Sequence, residues 1–423
     1  MNFRKTVLEN GLRIITVPQK ESRSVTVLVL VEAGSEYETK DINGVSHFLE
    51  HMCFKGTKRR PTTLVISSEL DNLGASYNAF TSFEYTGYYA KVESKHLNKI
   101  LDIVSDLYLN PLFDPQEIDK ERGVVIEEMN MFEDNPMERA PELFVELMYG
   151  DQPAGWNVAG TKEVINKLKR EDFIKYRSDH YVSSATTIVV AGSFEEMSTI
   201  ENIKGIFSGM DTSAKVGKSK TVEVQHEPQL LVKTKGLDQI HIVLGFRAFD
   251  IFDDRRYALE VLATILGGGM SSRLYKRVRE ELGAAYYIRA GSQAHIDHGY
   301  LAIESGINRD KLSSVLDAII DEVRKIKIEK VSNEELIRAK NQLSARLNMA
   351  LETSNSLAEF YGIQDIVERR ILTPEEILER INSVSPNDIL DIAKIIFTNN
   401  KLNLVVLGPE QDEKALRQRL SLD

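Results

Sequence analysis

The sequence predicts an α+β fold in which two homologous α/β-sandwich domains, each a mixed sheet with helices packed on it, follow one another. Two landmarks support this duplication. Apolar strands close on Gly192 and Gly408, 216 positions apart, and earlier strands run from Val25 and Ile240, 215 positions apart. Because independent landmarks share nearly one offset, we predict an internal repeat.

The two halves are separated by residues 208–220 (SGMDTSAKVGKSK), which are small and polar and lack apolar periodicity. Such a composition is typical of a linker. We therefore predict a first domain over residues 1–207 and a second over residues 221–423. A chain of 423 residues is long enough to form two hydrophobic cores.

Hydrophobic periodicity and turn residues predict the individual elements. In the first half they are a hairpin over 7–17, a buried strand over 25–31, a helix around 44–54, a helix over 64–73, an alternating strand over 77–91, a helix over 171–180 and a strand over 186–190. In the second half they are a strand over 240–244, a helix over 257–266, a helix over 386–397 and a strand over 402–408.

The composition narrows the classes of partner. A formal net charge of −11 argues against nucleic acid or an anionic membrane as the main partner. No apolar run is long enough to span a bilayer. The single cysteine fits a reducing compartment, and no secretory or transit segment is visible at the start, so we expect a cytoplasmic protein.

The most informative motif is His47-Phe48-Leu49-Glu50-His51. On a helix, histidines four positions apart project from one face and suit two ligands of one metal ion. Glu50 is placed to act as a general base on a metal-bound water, and the order of the motif is that of the inverzincins. The apolar residues of this helix fall on its opposite face, which favours a metal site over two histidines spaced so by accident.

A catalytic metal site of this kind needs a third protein ligand. The helix predicted over 114–132 has an apolar stripe, and a helical wheel puts Glu121 and Glu128 along the edge of that stripe while Glu127 points away. The wheel therefore selects Glu128 over Glu127. Glutamates on a helix edge usually face solvent, and the wheel does not show that the two helices meet.

The stretch HFLEHMCFKGT, followed by Glu128 77 positions after His51, resembles the pitrilysin, insulysin and mitochondrial processing peptidase family of zinc metallopeptidases. The resemblance implies one zinc ion per chain, with His47, His51 and Glu128 as ligands, Glu50 as the catalytic base and Glu121 as a support behind the ligands. It also implies peptide hydrolysis in which Glu50 takes a proton from the attacking water and passes it to the leaving amine.

Residues 74–81 (GASYNAFT) resemble the edge strand at the active site of that family. The resemblance implies that Asn78 and Ala79 bind substrate. In physical terms an extended peptide adds to a sheet edge and is held by main-chain hydrogen bonds, which leaves side-chain preference loose.

The second half lacks the metal motif, because the repeat offset carries His47 and His51 onto Leu262 and Leu266. Its glycine-rich residues 267–275 lack the Gly-Lys-Ser/Thr ending of a phosphate loop. They resemble instead the second-domain motif of the family, in which Arg279 and Tyr286 match an Arg/Tyr pair. The implied roles are binding of the substrate carbonyl and stabilisation of the oxyanion.

The resembling family includes long chains with four such domains and shorter chains with two that pair into a clamshell, of which this chain would form half. Because it carries both the zinc motif and the Arg/Tyr pair, we expect a homodimer more than a heterodimer with a related subunit. We expect an endopeptidase that hydrolyses peptides or small unfolded proteins in a closed chamber.

Two alternatives remain open at this point. One is a catalytically silent structural or interaction subunit of a heteromeric processing peptidase, which the intact His47, Glu50, His51 and Glu128 disfavour. The other is a zinc hydrolase of a different substrate class, such as an amidase, which the edge strand and the Arg/Tyr pair disfavour.

Overall fold

The structure is a computed structural model that describes residues 3–423 and divides into two compact units. Unit 1 consists of residues 3–129, Trp156–Ser219 and Asn348–Thr373. Unit 2 consists of Asn130–Gly155, Lys220–Leu347 and Pro374–Asp423. These units differ from the predicted linear division at 208–220, because each contains a helical segment from the opposite half of the sequence.

The predicted strands over 25–31, 186–190, 240–244 and 402–408 are present, and strands over 229–234, 285–294 and 299–308 were not predicted. The strands are β1 (Arg4–Val7), β2 (Arg13–Pro18), β3 (Ser24–Val31), β4 (Ser76–Thr81), β5 (Thr86–Glu93), β6 (Thr186–Gly192), β7 (Gln229–Thr234), β8 (Gln239–Arg247), β9 (Ala285–Ala294), β10 (Gly299–Asn308) and β11 (Leu402–Gly408).

Helices supply the layers on the two sheets. In the first half they are α1 (Val45–Cys53), α2 (Thr63–Asn72), α3 (Leu97–Leu109), α4 (Pro115–Asp134), α5 (Pro136–Tyr149), α6 (Lys162–Ile165), α7 (Arg170–His180) and α8 (Glu196–Ile206). In the second half they are α9 (Arg256–Gly267), α10 (Leu312–Ile328), α11 (Asn333–Ala350), α12 (Ser354–Val367), α13 (Pro374–Ser383), α14 (Pro386–Ile396) and α15 (Glu413–Arg419).

The topology of the two sheets confirms the predicted duplication. The sheet of unit 1 has the order β1-β2-β6-β3-β5-β4, and the sheet of unit 2 has the order β7-β11-β8-β10-β9. In each sheet one pair is parallel, β2 with β6 and β7 with β11, and the next strands pair antiparallel out to an edge strand, β4 or β9. The two sheets therefore match strand for strand apart from β1, which has no counterpart.

The sheet of unit 1 is buried on both faces, which explains the uninterrupted apolar run in β3. One face carries Val25, Val27 and Val29 into the core of the first half. The other face, with Leu28 and Leu30, is covered by α12, a helix from the second half. Strands covered on both sides need apolar residues at every position rather than at alternate ones.

Close packing and a buried ion pair fix α12 on this face. A Cβ atom at Gly362 would lie 2.5 Å from Leu30 Cδ1 and 2.9 Å from Val189 Cγ2, so the helix approaches the sheet where it has no side chain. Near the end of the helix, Asp365 is fully buried and accepts a 2.7 Å hydrogen bond from Arg13 Nε.

The sheet of unit 2 receives α5 from the first half in the same way. Phe144 packs with Val243 and Val405 in one apolar cluster. A Cβ atom at Gly245 would lie 2.4 Å from Phe144 Cζ, so a glycine again marks the point of closest approach. The exchange of α5 and α12 is the reason that the compact units are not contiguous along the sequence.

Residues 208–220 contain no helix or strand, but they are fastened to unit 1. Lys215 Nζ lies 2.5 Å from Glu32 Oε1. The buried Lys218 side chain forms ion pairs with Glu36 and Glu84. This segment is therefore held against unit 1 at Lys215 and Lys218, although most of its residues are exposed.

The prediction of one strand over 77–91 is wrong. The chain forms two antiparallel strands, β4 and β5, and turns at residues 82–85, where Ser82 N donates to Tyr85 O. The carbonyl groups of Ser82 and Phe83 accept hydrogen bonds from Ser35 N and Glu36 N. Residues 82–85 contain no glycine or proline, and these tertiary contacts stabilise the turn instead. The alternating pattern of aromatic residues therefore continues through the turn without a break.

Among residues 3–423, none of the helices combines the length and the apolar character that crossing a bilayer requires.

Two helical glycines of unit 1 should respond in opposite ways to the same substitution. Gly123 in α4 is exposed, and a Cβ there would meet no atom of residues 3–423 within 4 Å, so Gly123→Ala should stabilise the protein by about 1 kcal/mol through helix propensity. At Gly362, overpacking costs about 1–3 kcal/mol and should outweigh that gain. Thermal unfolding of both variants measures the difference, and equal stabilisation would contradict the close packing of α12.

Candidate metal centre

Helix α1 is anchored through its apolar face, as the helical wheel predicts. Phe48, Leu49 and Met52 are almost fully buried in the core of unit 1. The Phe48 ring meets the ring of Phe173 on α7 edge to face, with the centroids 4.9 Å apart. These contacts fix the rotation of the helix. The opposite face therefore presents His47 and the site residues that follow one turn later in the sequence.

Helix α4 brings its carboxylates to this face. Ile118 and Val125 are buried in the same core, and their stripe turns Glu121 inward. Glu128 is partly exposed, whereas Glu127 is exposed. The contact between the two helices, which the sequence did not show, is therefore present in the structure.

His47, His51 and Glu128 converge with the geometry of a metal-binding set. The distances from Glu128 Oε2 to His47 Nε2 and His51 Nε2 are 3.6 and 3.4 Å. One potential ligand atom from each residue lies within 4.8 Å of the others. Metal–ligand distances of about 2.1 Å in a tetrahedron separate two donors by about 3.4 Å, so this donor set fits one such ion and leaves a position open.

His51 is oriented from behind. Glu121 Oε1 lies 3.0 Å from His51 Nδ1, which fixes the ring and directs Nε2 toward Glu128. The second oxygen of Glu121 lies 2.5 Å from Lys55 Nζ. Carboxylates that hold a ligating imidazole in this way are common behind metal sites. Sequence reasoning missed Lys55, although its position one turn after His51 places it on the same face of the chain.

His47 is held differently. Its Nδ1 atom is buried and has no hydrogen-bond partner among residues 3–423. Its ring contacts the ring of His51, with the centroids 4.7 Å apart. The orientation of His47 therefore depends on packing and on the backbone of the first turn of α1, not on a carboxylate.

The two histidines differ in charge in the absence of a metal. Burial and the positive charge of His51 lower the pKa of His47 to about 4. Burial also acts to lower the pKa of His51, but its hydrogen bonds to Glu121 and Glu128 outweigh burial and raise that pKa to about 9. The hydrogen bond from His51 lowers the pKa of Glu128. The metal-free cluster thus holds its proton on His51.

Glu50 lies beside the cluster and contacts the edge strand. Burial raises its pKa, and a 2.6 Å hydrogen bond from Thr81 Oγ1 opposes that rise. Thr81 was missed in the sequence, although the two-residue period of a strand puts it on the same side of β4 as Ala79. Ala79 is buried in the core, whereas Asn78 is exposed on the outer side of β4.

Arg279 and Tyr286 lie in unit 2 and contact each other. Arg279 lies in a π-helical segment, Tyr275–Glu281, and donates through Nη1 to Tyr286 O. Its guanidinium also lies over the rings of Tyr275 and Tyr286, 5.2 and 5.8 Å from the centroids. Tyr286, on β9, is 72% exposed. Tyr275 is a further member of this group that the sequence did not single out.

The fold and this cluster define a two-domain α/β protein with a His-His-Glu constellation of metal-ligand geometry. The sequence model described as Insulinase (Peptidase family M16) matches residues 13–162, and the one described as Peptidase M16 inactive domain matches residues 167–343. The chain belongs to peptidase family M16.

Relatives of similar length bear names of one class. A Bacillus subtilis protein named an uncharacterized zinc protease is 33% identical over 398 residues, which cover 94% of this chain and 96% of that protein. A Rickettsia bellii protein of the same description is 34% identical over 409 residues, which cover 96% and 98%. This similarity extends through both halves of the chain.

Solved structures share the fold. A structure described as a protease from Helicobacter pylori matches with a TM-score of 0.88 at 22% identity and covers 96% of this chain and 99% of that one. A structure described as a peptidase M16 inactive domain from Pseudomonas fluorescens matches with a TM-score of 0.89 at 15% identity and covers 97% and 99%. At these identities the matches establish the architecture alone.

Binding of a divalent cation should depend on pH, because His51 must lose a proton before Nε2 can act as a ligand. With a pKa of about 9, that proton is bound at neutral pH. We expect the affinity for the cation to rise by up to about tenfold for each unit by which the pH increases toward that pKa. Above that pKa the affinity should level off. Competition with a coloured chelator between pH 6.5 and 8.5 measures this slope, and a flat profile would contradict the assignment of the proton to His51.

Proposed function

We propose that this chain is a zinc-dependent endopeptidase that hydrolyses peptides or small unfolded proteins. The convergence of His47, His51 and Glu128 beside Glu50 carries the proposal. Membership of peptidase family M16 and the names of the relatives support it.

One zinc ion per chain would be held by His47 Nε2, His51 Nε2 and a carboxylate oxygen of Glu128. When bound, zinc supplies a Lewis acid that polarises the scissile carbonyl and acidifies water. Glu121 and Lys55 would keep His51 directed at the ion. The backbone of α1 would set the position of the His47 ring, since no side chain in residues 3–423 hydrogen-bonds its Nδ1.

Glu50 would act as the general base and then as the general acid. A buried carboxylate with a raised pKa accepts a proton more readily than an ordinary glutamate. Thr81 holds Oε2 of this carboxylate, which leaves the other oxygen for the attacking water. The proton taken from that water would then pass to the amine that leaves as the peptide bond breaks.

The outer edge of β4 would hold the substrate as an added strand. Among residues 3–423 this strand pairs only with β5, which leaves its outer edge available to pair with an extended peptide. Ala79 would contribute main-chain hydrogen bonds because its side chain is buried, whereas Asn78 would also offer an exposed amide. Arg279 and Tyr286 would bind the carbonyl and stabilise the oxyanion.

Assembly and location are parts of the same proposal. A two-domain chain that carries both the metal cluster and the Arg/Tyr pair would act as a homodimer enclosing a chamber, with a heterodimer as the alternative. A cytoplasmic location is supported by the single cysteine, Cys53, which is buried and free. Light scattering under assay conditions tests the assembly, and full activity in a monomer would contradict it.

The alternative function is a catalytically silent structural or interaction subunit. The name of the second family model, an inactive domain, is compatible with both functions. A silent subunit needs neither a set of proposed metal ligands held by Glu121 nor the buried Glu50 beside that set. These features therefore favour the peptidase. Bound zinc together with a failure to cleave a mixed peptide library would favour the silent subunit.

Glu50→Gln should separate catalysis from metal binding. The amide keeps the size of the side chain but takes no proton from water, so cleavage of a mixed peptide library should fall by at least about 100-fold. Zinc content, measured by atomic absorption, should stay at one ion per chain, because Glu50 is not a proposed ligand. Equal cleavage by the wild type and the variant would exclude Glu50 as the base.

Neighbouring glutamates of α4 provide a matched test of the third ligand. Glu128→Gln should weaken zinc binding by at least about tenfold, since a neutral amide replaces an anionic ligand. Glu127→Gln, on the exposed side of the same turn, should bind zinc as the wild type does. Chelator competition at fixed pH compares the two, and retained zinc and activity in Glu128→Gln would overturn the assignment.

A further inference from the structure

The amino end of α1 is closed by a side chain that is not part of the helix. Its N-cap residue is Gly44, which has a φ of 97° and no side chain to accept a hydrogen bond. The first amide groups of a helix lack partners within the helix and need an acceptor from elsewhere. Glu38, six residues before Gly44, supplies that acceptor.

The carboxylate of Glu38 is saturated with donors. Oε1 accepts from Ser46 N at 2.7 Å and from Ser46 Oγ at 2.5 Å. Oε2 accepts from Gly44 N at 2.7 Å and from Asn43 Nδ2 at 2.9 Å. A carboxylate has about four acceptor sites, so each one is used. Its negative charge also complements the positive end of the helix dipole.

The local packing prevents Gly44 from carrying a cap of its own. A Cβ atom there would lie 2.5 Å from Ala159 O and 2.8 Å from Ile165 Cδ1. The positive φ of Gly44 also disfavours the usual capping residues. The acceptor must therefore come from another part of the chain, and Glu38 occupies that place in a fully buried setting.

Burial of the Glu38 carboxylate is unfavourable in free energy. Burial raises the pKa of Glu38 to about 7, although the donors from Ser46, Gly44 and Asn43 act to lower it. An ionised group away from water is costly unless its surroundings compensate it. The four donors at the start of α1 supply part of that compensation.

The first turn that Glu38 holds is the turn that carries His47. Ser46 and His47 are consecutive, and His47 Nδ1 has no hydrogen-bond partner among residues 3–423. His51, by contrast, is held by Glu121. We propose that Glu38 is a positioning residue for the metal site, which sets the place of His47 through the backbone of the first turn of α1. This inference rests on the proposed function, in which His47 is a zinc ligand.

Glu38→Gln tests the proposal with little change in size. The amide offers one oxygen, and its NH2 group would face donors that need an acceptor. We expect the dissociation constant for zinc to rise by about tenfold at a temperature where the protein is folded. Ser46→Ala, which removes only the hydroxyl donor, should weaken zinc binding less and in the same direction, and it serves if Glu38→Gln does not fold.

Asp106→Asn is the matched control for lost stability. Asp106 is also a fully buried carboxylate of unit 1, with Thr57 and Arg60 bound to Oδ2 and Arg59 and Asn110 bound to Oδ1, but it holds no turn that carries a proposed ligand. Both variants should melt at lower temperature without metal, and only Glu38→Gln should lose zinc affinity.

The outcomes separate this inference from the proposed function. Wild-type zinc affinity in Glu38→Gln or, should that variant not fold, in Ser46→Ala would overturn the positioning role and leave the zinc peptidase standing. An equal loss of affinity in Asp106→Asn would also overturn it, because the effect would then follow from general destabilisation. A wild type that binds no zinc would overturn the proposed function and this inference together.

Discussion

Both sheets must be covered on two faces, and the arrangement of the chain follows from this requirement. A strand such as β3, apolar at nearly every position, cannot leave either side in water without a large cost in hydrophobic free energy. The first half supplies helices for one face only. The second face of the unit 1 sheet is covered by α12, and α5 makes the reciprocal contribution to unit 2. The exchange of α5 and α12 thus covers the remaining apolar face of each sheet.

The candidate metal centre uses the same core indirectly. Two helices, α1 and α4, each bury an apolar stripe, and the site residues lie along the edges of these stripes. Burial therefore fixes the rotation of each helix, while hydrogen bonds adjust the side chains. Glu121 does this for His51, and the capped first turn of α1 replaces it for His47. None of the three proposed ligands, His47, His51 and Glu128, is fully buried.

Much of the fold and of the candidate site could be predicted from the sequence, because regular spacing of residues reveals repeats and the buried faces of helices. The offset between halves predicted matching sheets, and the helical wheels predicted the packed face of α1 and chose Glu128 over Glu127. Those inferences depend only on spacing along the sequence. The exchange of α5 and α12 was not predictable, since an apolar helix face does not specify which sheet it covers. Lys55 and Thr81 lie at regular spacing from His51 and Ala79, but their partners Glu121 and Glu50 are set by tertiary proximity, which spacing does not give. The role of Glu38 likewise depends on tertiary proximity.

The location of α12 late in the chain has a consequence for biosynthesis. The ribosome releases the strands of unit 1 first, with Leu28, Leu30 and Val189 forming an open apolar surface on the nascent chain. Segment Asn348–Thr373, which completes the unit, emerges only after most of unit 2 has been translated. The unit that carries the candidate metal centre is therefore the first to begin to emerge and is completed only late in translation, and an interrupted translation product would leave one apolar face of its sheet exposed to water.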